Sequence, residues 1–176
     1  MAGIDETMTF KPIGIAVLTV SDTRTKDDDT SGDLLCERIN AKGHILAERT
    51  IVTDDIEKVR AQINGWVARA DIQAVITTGG TGLTGRDITP EALTPLFDKE
   101  IDGFSAVFHA VSFASIGTST MQSRACAGII GETLIFCLPG SNGAVKDGWD
   151  GVLNMQLDSR HKPCNFIEIL PRLAER

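Results

Sequence analysis

No stretch of this sequence approaches the ~18 consecutive apolar residues that a membrane-spanning helix requires. The first ten residues carry neither the basic cluster nor the apolar core of a secretory leader. These two absences set the expectation of a cytoplasmic protein without a membrane partner. Four cysteines, Cys36, Cys126, Cys137 and Cys164, show no CxxC spacing, so neither a zinc site nor a redox motif is indicated and reduced thiols are expected. Three scattered histidines make no metal cluster, and no Ser–His–Asp constellation stands out. Basic residues are in deficit: the formal net charge is −7, which argues against a nucleic-acid surface. In so acidic a protein, attraction for an anionic ligand has to be local. Internal repeats and low-complexity segments are also missing.

What remains is ordinary for a globular domain, with 42% apolar and 23% charged residues. A length of 176 residues suits one domain with a core of its own. Residues 1–12 are polar and patternless and read as a mobile N-terminal arm, which leaves 13–176 as the single domain. Ile13 to Val20 is continuously apolar, as in a central strand. Ser21-Asp22-Thr23-Arg24 ends it, and a charged, flexible loop follows from Lys26 to Thr30. Thr30 or Ser31 can cap the next helix, whose inner face is Leu34, Leu35 and Ile39 and whose stop is Gly43. A second strand, Ile45 to Val52, is interrupted by Glu48 and Arg49. Asp54-Asp55 opens a helix with apolar positions at 56, 59, 63, 66, 67 and 70, and Trp66 belongs to that core stripe. Ala74 to Thr78 is the third strand. A β-α-β-α-β order implies a parallel sheet with right-handed crossovers, with ligands gathering at the carboxyl ends of the strands.

Further on, Phe104, Val107, Phe108 and Val111 mark a helix within 103–115, on which His109 reads as a surface or core residue. Ala127 to Ile130 and Leu134 to Leu138 flank Gly131-Glu132, a hairpin candidate that would make the sheet mixed. Pro139 to Gly143 then leads into a helix carrying Val145, Trp149, Val152, Leu153 and Leu157, with Ser141 or Asn142 as its cap. The tail from Arg160, with its PCNF run, reads as extended. The fold class is α/β, a mostly parallel and partly mixed sheet between helical layers.

The richest stretch is AVITTGGTGLTGRDITPEALTPL, Ala74 to Leu96. A buried-strand pattern stops at four glycines within seven residues, Gly79, Gly80, Gly82 and Gly85, followed by Arg86-Asp87. Thr89 with Pro90 reads as a helix start, with Thr89 as N-cap, and Pro95 makes that element short or bent. Glycines let a backbone approach a ligand, and free N–H groups near a helix start favour an anion. A Walker loop would need Lys-Ser/Thr where Arg86-Asp87 stands. Gly80-x-Gly82-x-x-Gly85 matches the dinucleotide fingerprint, but its helix begins too late and no acidic residue ends a following strand, which argues against a nicotinamide site. Asp87 beside an anion cradle would repel its ligand unless it holds a metal, and Mg²⁺ bound by one or two carboxylates and phosphate oxygens resolves the conflict. The alternatives are an ion pair with Arg86 or a helix cap. Asp54 lies at the same rim, as a partner for that metal or as the cap of its own helix. Ser21, Asp22, Thr78, Gly79, Gly80, Thr81, Gly82, Arg86, Gly140 and Ser141 complete the set of candidate ligand contacts.

Read together, TTGGTG, Arg86-Asp87 and Thr89-Pro90-Glu91 resemble the MoaB/Mog family of molybdenum-cofactor biosynthesis. The likeness extends to VSDTRT (Val20 to Thr25), IVTDD (Ile51 to Asp55), SRACAG (Ser123 to Gly128) and LPGS (Leu138 to Ser141). It implies a three-layer α/β/α fold, with Asp54 and Asp87 as the catalytic pair and Ser123 and Arg124 holding a pterin or its phosphate. The implied reaction is Mg²⁺-dependent adenylyl transfer from ATP to molybdopterin. Implied partners are a homotrimer or hexamer and other enzymes of the pathway. Ser141-Asn142 stands where the adenylyltransferase branch carries a further proline, and the PCNF tail is similar to the MoaB branch. A non-catalytic molybdopterin-binding or assembly protein is therefore the alternative.

Overall fold

The computed structural model describes residues 2–175. In chain order the elements are β1 (Gly3–Ile4), β2 (Gly14–Val20), α1 (Thr30–Lys42), β3 (Ile45–Val52), α2 (Ile56–Val67), β4 (Ala74–Thr78), α3 (Thr89–Leu93), β5 (Lys99–Glu100) and α4 (Asp102–Ile116). They continue with β6 (Cys126–Ile130), β7 (Thr133–Leu138), α5 (Asn142–Gly148), a π-helical segment Trp149–Leu153, α6 (Asn154–Gln156), β8 (His161–Lys162) and α7 (Phe166–Ile169). Six strands make one sheet in the order β3-β2-β4-β7-β6-β5. β3, β2, β4 and β7 run parallel, and β6 pairs antiparallel with both β7 and β5. The hairpin over Gly131-Glu132 thus makes the sheet mixed.

The central strands are apolar throughout because both of their faces are covered. Along β2, Ile15 and Val17 enter one core while Ala16, Leu18 and Val20 enter the other. On the first face pack Leu35 and Ile39 of α1, Phe104 and Phe108 of α4, and Val145 of α5 with Trp149 and Leu153 just beyond it. On the second pack Val59, Ile63 and Trp66 of α2 with Ala92 and Leu93 of α3. The result is a three-layer α/β/α arrangement. Each large side chain removed from water contributes roughly 1.5–3 kcal/mol. Among the described residues no helix is long and apolar enough to cross a membrane.

Several sequence expectations are corrected. α1 is capped by Asp29, whose carboxylate accepts from the Gly32 amide at 3.0 Å, and not by Thr30 or Ser31. Asp29 is fully buried, so the loop from Lys26 to Thr30 is not flexible at its end. The polar interruption in β3 reflects its place at the sheet edge. There Arg49 pairs with Asp29 and Asp33, and Glu48 pairs with Arg69. The tail after Arg160 is extended only at its start, in β8; from Phe166 it is helical, and Asn165 caps α7 by accepting from the Glu168 amide at 3.0 Å. The expected mobile arm is tethered over its described residues. β1 pairs with β8, the Lys11 amide donates to Ser159 Oγ at 2.9 Å, and Phe10 packs on His44 with ring centroids 5.0 Å apart. Backbone pairing to a distant strand leaves no side-chain period to read.

His44, buried under that arm, accepts from the Ile13 amide at Nδ1 and so carries its proton on Nε2. Burial first, and then the Lys42 ammonium, pull its pKa from 6.5 down to about 4. Between those values the unfolded chain binds a proton that the folded one refuses, so stability rises with pH across this window and is lost as pH falls. The expected loss from pH 6.5 to 4 is up to about 3 kcal/mol. Urea unfolding of the wild type against His44→Asn, which keeps an acceptor for Ile13, should show the variant lacking this part of the pH dependence. Equal pH dependence in the two proteins would mean that His44 is not the group responsible.

Candidate functional site

Because four strands run parallel, Val20, Val52, Thr78 and Leu138 finish on a single rim of the sheet, and the segments after them converge. A cavity of about 430 Å³ lies there. Of the residues singled out from sequence, Ser21, Asp54, Thr78, Gly79, Gly80, Thr81, Gly82, Arg86, Asp87, Ser123, Gly140 and Ser141 line it. Asp22 and Arg124 do not.

The glycine loop forms the floor. Gly79 sits at φ 101°, and a Cβ there would collide with the Val20 carbonyl oxygen. Only glycine suits such a position. Its amide extends the ladder to Leu138 at 3.1 Å, after which the amides of Gly80 and Thr81 find no backbone acceptor among the described residues. They are the donors left for an anion. The loop is closed from behind by Thr89, which donates from Oγ1 to the Gly79 carbonyl at 2.8 Å and from its amide to Gly80 at 2.9 Å. Thr89 is therefore the first helical residue and a loop tie, with Ile88 at the N-cap position and no side-chain cap. Ser141 does cap α5, accepting from the Ala144 amide at 3.1 Å.

Two carboxylates face this floor. Asp54 and Asp22 exchange bonds across the gap between β2 and β3: the Asp22 amide donates to Asp54 Oδ2 at 2.9 Å, and the Asp54 amide donates to Asp22 Oδ1 at 3.0 Å. Asp55, not Asp54, caps α2. Burial, with the charges of Asp22 and Asp87 adding to it, pushes the Asp54 pKa above the ordinary carboxylate value. Asp87 behaves oppositely: the Thr84 hydroxyl at 2.6 Å and the Thr84 amide at 2.9 Å hold its pKa down. It neither caps α3 nor pairs with Arg86, whose exposed guanidinium approaches Asp22 at 3.6 Å. Asp87 folds back over Gly82, where a Cβ would meet its carboxylate.

Among the described residues no group of three or more His, Cys, Asp or Glu could hold a metal by itself. Magnesium commonly takes one or two carboxylates and completes its shell with substrate phosphate and water. Asp54, strained by its like-charged neighbours, and Asp87, ionised beside the cradle, fit that mode of binding.

Arg124 is engaged by the loop: its Nε donates to the Gly82 carbonyl at 2.8 Å, its NH2 donates to the Asp87 carbonyl at 2.9 Å, and the rest of the guanidinium pairs with Glu91. The adjacent Ser123 does reach the cavity, and its Oγ is buried without a partner. Thr19, Arg24, Ser31, Gln122 and Pro139 also line the cavity and were not anticipated. A lone threonine near the end of the apolar run IGIAVLTV was the available signal for Thr19.

Comparison with known proteins agrees with this geometry. Residues 16–159 match the family model described as a probable molybdopterin binding domain. The chain is 50% identical over 157 residues to molybdenum cofactor biosynthesis protein B of Escherichia coli K12, covering 89% of this chain and 92% of that protein. It is 46% identical over 153 residues to the protein of the same name from Staphylococcus carnosus, covering 84% and 88%. Among solved structures, one of a molybdenum cofactor biosynthesis protein B superposes with a TM-score of 0.85 at 36% identity, covering 96% of this chain and all of that one. The tungsten cofactor synthesizing protein MoaB from Pyrococcus furiosus gives 0.78 at 37%, covering 94% and 99%.

Arg124→Ala removes two bonds to the loop and leaves Glu91 without its cation. The expected destabilisation is about 1.5–3 kcal/mol, read from the urea midpoint. Arg124→Lys should recover little of it, since one ammonium cannot reach Gly82, Asp87 and Glu91 together. Wild-type stability in both variants would show that the clamp contributes nothing.

Proposed function

This chain belongs to the molybdenum-cofactor biosynthesis family, and we propose that its rim cavity binds molybdopterin and MgATP and transfers an adenylyl group between them. The observation that carries the reading is the placement of Asp54 and Asp87 over a floor of unpaired amides. Such a site asks for a cation and an anion together, which is what a metal-bound polyphosphate brings.

In this reaction a terminal phosphate oxygen of molybdopterin attacks the α-phosphorus of ATP. The new P–O bond replaces the one to pyrophosphate, which leaves with the electron pair. No protein nucleophile takes part. The amides of Gly80 and Thr81 hold phosphate oxygens and stabilise charge that develops on them. Ser123, with its unpartnered hydroxyl, donates to a further oxygen. Arg86 and Arg24, both at the cavity, supply the local positive charge that an acidic chain otherwise lacks. Asp54 and Asp87 would hold a magnesium ion entering with the nucleotide, which supplies Lewis-acid neutralisation of phosphate charge. The remaining contribution is alignment of the two substrates.

One observation favours the non-catalytic alternative. Asn142, at the position where the adenylyltransferase branch departs from this sequence, accepts from Thr30 Oγ1 at 3.1 Å and fastens α5 to α1. Neither residue lines the cavity, but the adjacent Ser31 and Ser141 do, so the tie holds a wall that retains a ligand without requiring its turnover. Under either reading we place the protein in the cytoplasm beside the other enzymes of the pathway.

The test is incubation with MgATP and molybdopterin, with detection of adenylylated product. Asp54→Asn and Asp87→Asn should each keep the fold and molybdopterin binding, and lower turnover by at least about a hundredfold. No product from the wild type, with molybdopterin still bound, would transfer the assignment to the binding-protein alternative. We also propose the trimeric or hexameric assembly. Phe113 and Ile116, one turn apart on α4, and Met121 beyond it leave an apolar surface in water on a single chain. Light scattering should give three or six times the 18.9 kDa chain mass, and a clean monomer at micromolar concentration would exclude it.

A further inference from the structure

Two hydroxyls along the α1 side of the cavity share one property. Thr19 Oγ1 donates to Asp29 Oδ2 at 2.6 Å, and Ser31 Oγ donates to Asp29 Oδ1 at 3.2 Å. An ionised carboxylate can only accept. Asp29 is ionised: burial opposes its charge, but the Thr19 hydroxyl and the Arg49 guanidinium, at 2.9 Å, hold its pKa below the ordinary value. The Gly32 amide occupies Asp29 as well. Both hydroxyl protons therefore point towards Asp29, and what they leave for the cavity is oxygen lone pairs.

The glycine floor presents the reverse, amide donors at Gly80 and Thr81. One end of the cavity thus asks for an anion and the other refuses one. A phosphate at Thr19 and Ser31 would meet no donor there and would face the buried charge of Asp29 behind them. A ligand N–H would complete each hydroxyl.

We propose that Thr19 and Ser31 seat the amino-bearing edge of a heterocycle, and that Asp29 is the positioning residue that fixes their polarity. Asp29 touches no ligand itself. The inference rests on the proposed function, since molybdopterin and ATP each pair such an edge with a phosphate. It adds which end of the cavity takes the ring and which chemical feature of the ring is selected. The shared chemistry, an amino group on a planar heterocycle, belongs to both the pterin and the adenine.

Two matched pairs of probes separate these sources: pterin against lumazine, and adenosine against inosine. Within each pair an amino group is exchanged for a carbonyl oxygen. Titration of the full chain should show one pair in which the amino member binds roughly tenfold or more tightly than the oxo member. The pair that discriminates identifies the ring at this wall. Thr19→Val and Ser31→Ala should bring that ratio towards one while pyrophosphate affinity, which reports the glycine floor, stays unchanged. Asp29→Asn places an N–H against one of these hydroxyls and turns it into a donor, so the preference should shift towards the oxo member. If Asp29→Asn does not fold, the Thr19 and Ser31 variants decide alone, because neither contacts Arg49. Binding of amino and oxo members with equal affinity in the wild type, or a preference unmoved by Thr19→Val and Ser31→Ala, overturns the inference and leaves the proposed function standing. Failure of every probe to bind while pyrophosphate binds overturns both.

Discussion

A loop containing four glycines has little reason of its own to hold one shape, because each glycine gives up more conformational freedom on folding than any other residue. The guanidinium of Arg124 supplies the missing constraint. It reaches from the start of β6 to the carbonyls of Gly82 and Asp87, while its own amide donates to the Thr81 carbonyl at 2.9 Å. Those bonds pin both ends of the turn that presents Asp87. Thr89 ties the same loop from the other side. With its carbonyls engaged, the loop is left with the amides of Gly80 and Thr81, which have no backbone acceptor among the described residues. The shape of the rim thus depends on a cation that lies outside the cavity lining.

Charge is handled locally in the same way throughout the rim. A chain of net charge −7 places three aspartates, Asp22, Asp54 and Asp87, close enough for Asp54 to feel the other two. Burial first, and then these charges, raise the pKa of Asp54, and the Asp22 amide bonded to it offsets only part of the rise. Sites that bind metals or phosphates commonly store this kind of electrostatic strain. Asp29, by contrast, is buried and satisfied by Thr19, Gly32 and Arg49. Two carboxylates of one chemistry therefore stand in opposite states: Asp54 is raised in pKa beside like charges, and Asp29 is held ionised by the groups around it.

Much of the architecture was legible in the residues themselves. The apolar runs at Ile13–Val20, Ala74–Thr78 and Leu134–Leu138, the 3.6-residue stripe through Val59, Ile63 and Trp66, and the Gly131-Glu132 turn are local patterns, and local patterns dictate strands, helices and hairpins. The order of those elements then requires parallel crossovers, so the gathering of Ser21, Asp54 and the glycine loop at one rim followed without any coordinates. The family likeness rested on motifs of the same short range.

What the sequence determined by itself was therefore the elements, their order and the stretch where a ligand would sit. The tertiary structure alone decided which side chains face that ligand. Arg124 looks like a phosphate contact beside Ser123 until Gly82, Asp87 and Glu91 are seen around it. Asp29 looks like part of a solvated loop until Thr19 and Arg49 close over it. Residues 2–12 look free until β1 meets β8 and Phe10 covers His44. In each case the partner lies far away in the chain or in another element, and the energy of a charge or a hydroxyl is set by its partner. Backbone periodicity is written in neighbouring residues, whereas the direction of a proton is written in contacts that only folding creates.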